Sequence, residues 1–313
     1  MSILKLEFYD VNSARQALEA MASERSASRQ GNKQLASYGK APWPKMFCLE
    51  TENRTSLRFA SKNAEDGVIE EAVVRLQGII CKSSLPPKRK DLRGEPGQVR
   101  YMKQSFTLNG FNSPVFCMAV DGAFNIAEFL SRKDSDMVQW APGTMGGELT
   151  MEVSNRLFVK QDENKQHESV PIDLSVNPYG SLARLAGQHY VHTEDCVVRY
   201  FTRDENRDGT ISYNTSGSGL FKPGDIVEAQ CSVIVIPTRN GPHKMKLILR
   251  AMTMLSSEFS KAKWKSKASN DQTQVIVRDE VKYRRNVGYE EDAEDDVDHV
   301  NKRVKKMQVD DTV

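Results

Sequence analysis

The chain has no C-x-x-C pair, no G-x-S-x-G elbow and no glycine-rich loop ending in G-K-[ST]. Without paired cysteines a zinc ribbon or dithiol redox centre is not expected. Cys48, Cys81, Cys117, Cys196 and Cys231 are odd in number and widely spaced, mostly in apolar runs. They read as small core residues of a protein kept in a reduced compartment. No apolar run approaches the roughly 20 residues of a membrane helix. Lys5, Glu7 and Asp10 also interrupt any signal-peptide core. The expectation is an intracellular soluble protein with no membrane partner. Net charge is scarce as well: 44 Lys and Arg oppose 42 Asp and Glu, leaving +2. The field of the whole protein therefore selects no partner, and any electrostatic action must come from local segregation of charge. With no elbow or P-loop, nothing amounts to a catalytic signature, so a non-enzyme without cofactor is expected.

What is present is length for a substantial core, 313 residues with 39% hydrophobic side chains, arranged mostly in short β-type runs. Ala14, Ala17, Leu18 and Met21 fall at helical spacing within residues 11–36, with Asn12 or Ser13 as cap. Ser23–Lys40 is polar and reads as a flexible linker. From Phe47 to Leu255, candidate strands include Ala72–Cys81, Tyr101–Leu108, Pro114–Val120 and Leu149–Val153. Short helices are expected at Phe124–Ser131 and Gly180–Leu185. The fold class is mainly β, a barrel or sandwich with few short helices. Residues 1–41 form a helical arm and linker, and 42–258 the β-rich region, with two sub-modules divided near 160–180. Residues 259–313 form a disordered charged tail.

The clearest unit is a hairpin over residues 224–255. Val227, Ala229, Cys231, Val233 and Val235 alternate with Glu228, Gln230 and Ser232. In the return strand Met245, Leu247, Leu249 and Ala251 alternate with Lys244, Lys246 and Arg250. Period two implies one buried face and one wet, cationic face. Arg239 and His243 should project from the connection as a basic finger.

Cations also cluster at Lys82–Arg93 around Pro86-Pro87. Lys261, Lys263, Lys265 and Lys267 flank Trp264. Lysines release counterions from phosphates, and a nearby aromatic ring stacks on unpaired bases. Tyr101 beside Arg100 and Lys103 fits the same description. Candidate groove residues are Lys244, Lys246, Arg250, Lys263, Trp264 and Lys265. Glu290–His299 then holds seven acids and no Lys or Arg, followed by Lys302, Arg303, Lys305 and Lys306. That last cluster is a nuclear-import candidate, with Lys88-Arg89-Lys90 as a second.

Through this hairpin and the acidic 290–298 block, the chain resembles OB-fold single-strand-binding proteins, in which an acidic tail occupies the basic groove until nucleic acid displaces it. Pro223–Gln230, Lys244-Met245-Lys246-Leu247 and Arg284–Glu290 are similar to an uncharacterised multicopy protein family of mushroom-forming fungi. That resemblance covers the C-terminal third and implies a nuclear eukaryotic protein, without assigning site residues.

Two metal motifs fail on chemistry. Asp204–Ile211 has the D-x-N-x-D-G spacing of a calcium loop, but Thr215 stands where a bidentate glutamate is required and Arg207 adds positive charge. A β-turn is expected there. His189 and His192 have no second ligand pair. The expected function is sequence-tolerant binding of single-stranded nucleic acid, with self-competition by the acidic tail. The alternative is a nuclear scaffold whose tail contacts basic proteins.

Overall fold

A computed structural model describes residues 1–39, 43, 45–50, 56–62, 67–87, 96–161, 168–206, 209–238 and 241–273. Met1–Lys267 form one compact unit. Of the second, Ala268–Val313, the described residues are those closing the last helix. The N-terminal half contains β1 (Ser2–Ile3), α1 (Val11–Ala27), β2 (Met46–Glu50), β3 (Leu57–Lys62), β4 (Ile69–Glu71), β5 (Val73–Ser84), α2 (Pro96–Val99), β6 (Lys103–Asn109) and α3 (Pro114–Ser131). There follow β7 (Gly143–Met145), β8 (Glu148–Arg156), β9 (Val159–Lys160), α4 (Ser181–Ala186) and β10 (Tyr190–Val191). The chain continues with β11 (Arg199–Glu205), β12 (Ile211–Thr215), β13 (Ile226–Pro237), β14 (His243–Ser256) and α5 (Glu258–Thr273). The fold is mainly β.

Five strands close on themselves. β5 pairs antiparallel with β6 at Ile80↔Leu108, and β6 antiparallel with β8 at Phe106↔Val153. β8 runs parallel to β14 at Leu247↔Val153, and β14 returns antiparallel to β13 at Leu249↔Cys231. β13 then meets β5 at Ala229↔Leu76, completing the ring. Leu76, Ile80, Phe106, Leu108, Met151 and Val153 supply much of the core, together with the alternate residues of β13 and β14. Closing a sheet removes its edges and lets every strand bury one face. The ring is thinnest where β8 touches β14, at just Leu247 and Ile248; further along, β11 takes the same edge of β14 at Ala251–Met254.

The expected hairpin is present, with a bulge. Gln230 opposes Ala251 while Cys231 opposes Leu249, so Arg250 is the extra residue. The inward set consequently passes from Leu247 and Leu249 to Met252 and Met254. The opposite face of the hairpin is not wet throughout, because α1 lies over its first half. Asp10 caps α1 by accepting a 3.0 Å hydrogen bond from the Ser13 amide. Ala14, Leu18 and Ala22, four apart, are buried, and Ala14 and Leu18 pack on Ile79 and Cys81 from outside the ring.

Two other expectations are corrected. Pro114–Val120 is helix: Pro114 presets the first turn, and Phe116, Ala119, Ala123, Ile126 and Leu130 recur at helical spacing into the core. α3 is long and apolar enough to cross a membrane by length and composition, and those core contacts occupy its apolar face. Ser23–Lys40 is not a plain linker as far as it is described. It continues α1 to Ala27 and then makes two short 3-10 turns, the second of which buries Leu35 and Tyr38. Gly122 of α3 meets this segment so closely that a Cβ there would fall 2.0 Å from the Leu35 carbonyl oxygen. The helical arm and the β-rich region both fall within the unit that ends at Lys267.

Candidate nucleic-acid interface

The turn that enters β13 also fixes α5. Asp225 is buried; its Oδ2 accepts a 2.7 Å hydrogen bond from the Lys222 amide and its Oδ1 accepts one from Ser260 Oγ. Burial pushes this carboxyl above its ordinary range, against the pull of the two hydrogen bonds and of Lys222 and Lys261. Gly224 has φ +100°, a conformation that glycine adopts without a steric penalty. Its carbonyl accepts a 2.9 Å bond from Tyr9 Oη, and a Cβ would lie 2.9 Å from Tyr9 Cε2 and 3.3 Å from Ser260 Cβ. The N-terminal segment joins through Leu4 N, which donates to Cys81 O at 2.7 Å. Three parts of the chain, remote in sequence, thus meet at one end of the ring.

Between them opens a cavity of about 730 Å³. Lys5, Lys222, Lys263 and Lys267 line it with Trp264, and among the described residues Glu7 is the one carboxylate in its wall. Among the described residues none of the four lysines forms an ion pair. Lys263 is half-buried and donates to the Lys5 carbonyl. Burial, then repulsion from Lys267 and Lys5, lowers its pKa, with Glu7 opposing. Trp264 is 56% exposed, and the Lys267 ammonium stands 5.9 Å from its ring centroid. The facing wall is held by Ser218 Oγ, which donates 2.7 Å to the Pro86 carbonyl.

Ser83 and Ser84 of β5 line this cavity and pair with Phe106 and Ser105 of β6. Ser105 in turn pairs with Ser154 of β8. The cavity therefore adjoins the outside of β6 and β8, where Lys103, Glu152 and Arg156 are exposed. Lys103 pairs with Glu152. Register continues the row from Glu152 to Lys246, one step before Leu247↔Val153. Tyr101, 63% exposed beside the start of β6, carries the Arg100 guanidinium 4.4 Å from its ring centroid.

Of the six groove residues expected from the sequence, Lys263 and Trp264 meet in the cavity. Lys265 is exposed on the same helix but outside the lining. Lys244 and Lys246 are exposed near the start of β14. Lys246 is ten residues from Ser256, roughly 33 Å along the strand. Arg250 is withdrawn from the groove: its guanidinium pairs with Glu71 at 2.9 Å and Asp195 at 3.5 Å, and donates to Ser232 Oγ at 2.9 Å. Nor does His243 project as a finger, since it is a β14 residue whose Nδ1 lies 2.6 Å from Asp134 Oδ2. Arg239, Lys88–Lys90, the acidic block and Lys302, Arg303, Lys305 and Lys306 lie outside the described residues.

Sequence reasoning missed Lys5 and Lys222. Lys222 does stand directly before the Pro223-Gly224 turn of the hairpin, a local signal; Lys5 comes from 258 residues before Lys263 and offers none. Among the described residues no group of three or more His, Cys, Asp or Glu side chains is placed to hold a metal. His192 is buried with Nδ1 2.8 Å from the Leu157 carbonyl oxygen, and Asn206 and Thr210 close the β11–β12 hairpin. No protein-family model matches the chain, and no curated protein is significantly similar to it.

Proposed function

We propose that this protein binds single-stranded nucleic acid with little sequence preference, through a five-stranded OB-type barrel, and that it is a binding module rather than an enzyme. The ring order supports the barrel reading: antiparallel contacts throughout except the parallel β8–β14 contact. OB barrels bind chains across their second and third strands and the loops that follow the first and fourth. Here those strands correspond to β6 and β8. α1 packs outside β5, while Lys103, Glu152 and Arg156 stay open to solvent on β6 and β8.

One observation carries the reading. Trp264 and four lysines without an ion pair among the described residues, drawn from three separated parts of the sequence, converge on one cavity beside that open face. Lysines neutralise phosphates and tryptophan stacks on any base, which makes binding tolerant of sequence and steeply dependent on salt. The acidic 290–298 block is proposed to compete for these cations, and Lys302, Arg303, Lys305 and Lys306 to direct nuclear import.

Fluorescence anisotropy of labelled oligothymidine with the full chain, at stepped salt, tests this. Binding should fall steeply as salt rises, and Trp264 emission should quench on saturation. Absence of binding at low ionic strength, both for the full chain and after neutralising the 290–298 acids, would remove the proposal.

A further inference from the structure

Resting on the nucleic-acid reading, we infer that the Trp264 cavity seats the phosphorylated end of a strand: a terminal phosphomonoester among Lys5, Lys222, Lys263 and Lys267, its base stacked on Trp264. The charge balance of the cavity leads there. Four ammonium groups face one carboxylate, Glu7, and none is neutralised by an ion pair among the described residues. An internal phosphodiester brings one negative charge, whereas a phosphomonoester brings about −1.5 to −2 and three acceptor oxygens at neutral pH. Crowded cations gain most from the more highly charged group. Lys263 is the clearest instance, being half-buried and pressed by Lys267 and Lys5. An anion between them relieves that repulsion.

Size and place agree. At about 730 Å³ the cavity falls within the roughly 300–1,000 Å³ of small-molecule sites, room for a nucleotide rather than a long strand. It abuts the open face through the Ser83↔Phe106 and Ser84↔Ser105 pairs. A strand lying over β6 and β8 therefore leads its end towards Trp264. The open face has the opposite character, since Lys103 is already paired with Glu152. A chain held there is held weakly, and the cavity supplies the discriminating contact.

The test compares one ten-nucleotide oligothymidine in three forms, 5′-phosphorylated, 3′-phosphorylated and unphosphorylated, with an internal label and the full-length protein. Free adenosine monophosphate, followed by Trp264 emission, separates a strand end from a free nucleotide. One phosphorylated oligonucleotide should bind about tenfold tighter than the unphosphorylated form, comparable to one hydrogen bond to a charged group. Lys263→Gln should erase that preference and leave the unphosphorylated form less affected. Equal affinities for all three oligonucleotides overturn the end-binding inference while single-strand binding stands. Quenching by the mononucleotide with no oligonucleotide bound supports the phosphomonoester seat and overturns the single-strand reading. If nothing binds, both fall.

Discussion

Two charged sites, one on either side of the turn at Gly224–Asp225, handle charge in opposite ways. Under α1, Glu228 is fully buried, and Arg25 grips it with two hydrogen bonds of 2.8 and 2.5 Å. Gln77 adds a third at 2.6 Å, and Arg75 stands 3.6 Å away. Beside α5, four lysines share a cavity with one carboxylate and none is paired among the described residues. The first site spends its charge internally and holds a helix against the ring. The second has no ion pair to neutralise it among the described residues, and on the proposed reading its charge is left for a ligand from solvent. On the proposed reading, pairing more than the density of charged residues separates structural from binding electrostatics in this chain.

Breaking the first site should give the largest effect. Arg25→Ala leaves Glu228 buried with reduced compensation, and about 3–5 kcal/mol of stability should be lost in urea unfolding. Oligonucleotide affinity of the variant, measured where it remains folded, should match the parent. Trp264→Ala should give the reverse pattern. Stability should change by no more than about 0.5 kcal/mol, because the indole is 56% exposed, while binding weakens by about 1–3 kcal/mol. A Trp264→Ala protein that unfolds as readily as Arg25→Ala would dissolve the distinction between the two sites.

How much of this was legible varies by element. The β13–β14 hairpin was readable because alternation persists over both strands. Its outer face was misread because the helix that covers Glu228 brings Arg25 from 203 residues earlier. The helix at Pro114–Ser131 begins with a six-residue apolar run, Val115 to Val120, that fits either period, and the turns after Val120 settle it. Leu35 and Tyr38 are single apolar residues in a polar stretch, so their burial leaves little local trace. Trp264 among lysines announced half of the cavity. Helical winding then brings Lys263, Trp264 and Lys267 to it and leaves Lys265 out, a selection that spacing alone does not make for a segment read as a tail. Closure of the ring through Leu247↔Val153 joins residues 94 apart, beyond any pattern in the primary order.

Arg250 sharpens the contrast, since it looks like a groove cation and behaves as a structural one. Arg250→Ala removes its contacts with Glu71, Asp195 and Ser232. About 1–2 kcal/mol of stability should go with them, while the salt dependence of oligonucleotide binding stays as it was. Lys263→Gln should instead lower the slope of log K against log salt by about 0.7, one phosphate contact on a single strand.

The same lysine carries the smallest expected effect. Its pKa is lowered in the folded protein, chiefly by burial and then by Lys267 and Lys5, with Glu7 opposing. The unfolded chain therefore holds more protons than the folded one between the depressed value and the ordinary 10.5. Stability contributed by this site must rise as pH climbs through that window. At neutral pH the charged Lys263 is thus a slight liability, and Lys263→Gln should stabilise the protein by less than about 0.5 kcal/mol, since solvent screens the group. That gain should vanish as pH approaches 10.5. Affinity for oligonucleotide should fall over the same window in the parent and stay flatter in the variant. One substitution that raises stability and lowers binding, both fading together in alkali, is the signature of a charge left unpaired for a partner; stability and binding moving in the same direction would place Lys263 with Arg25 instead.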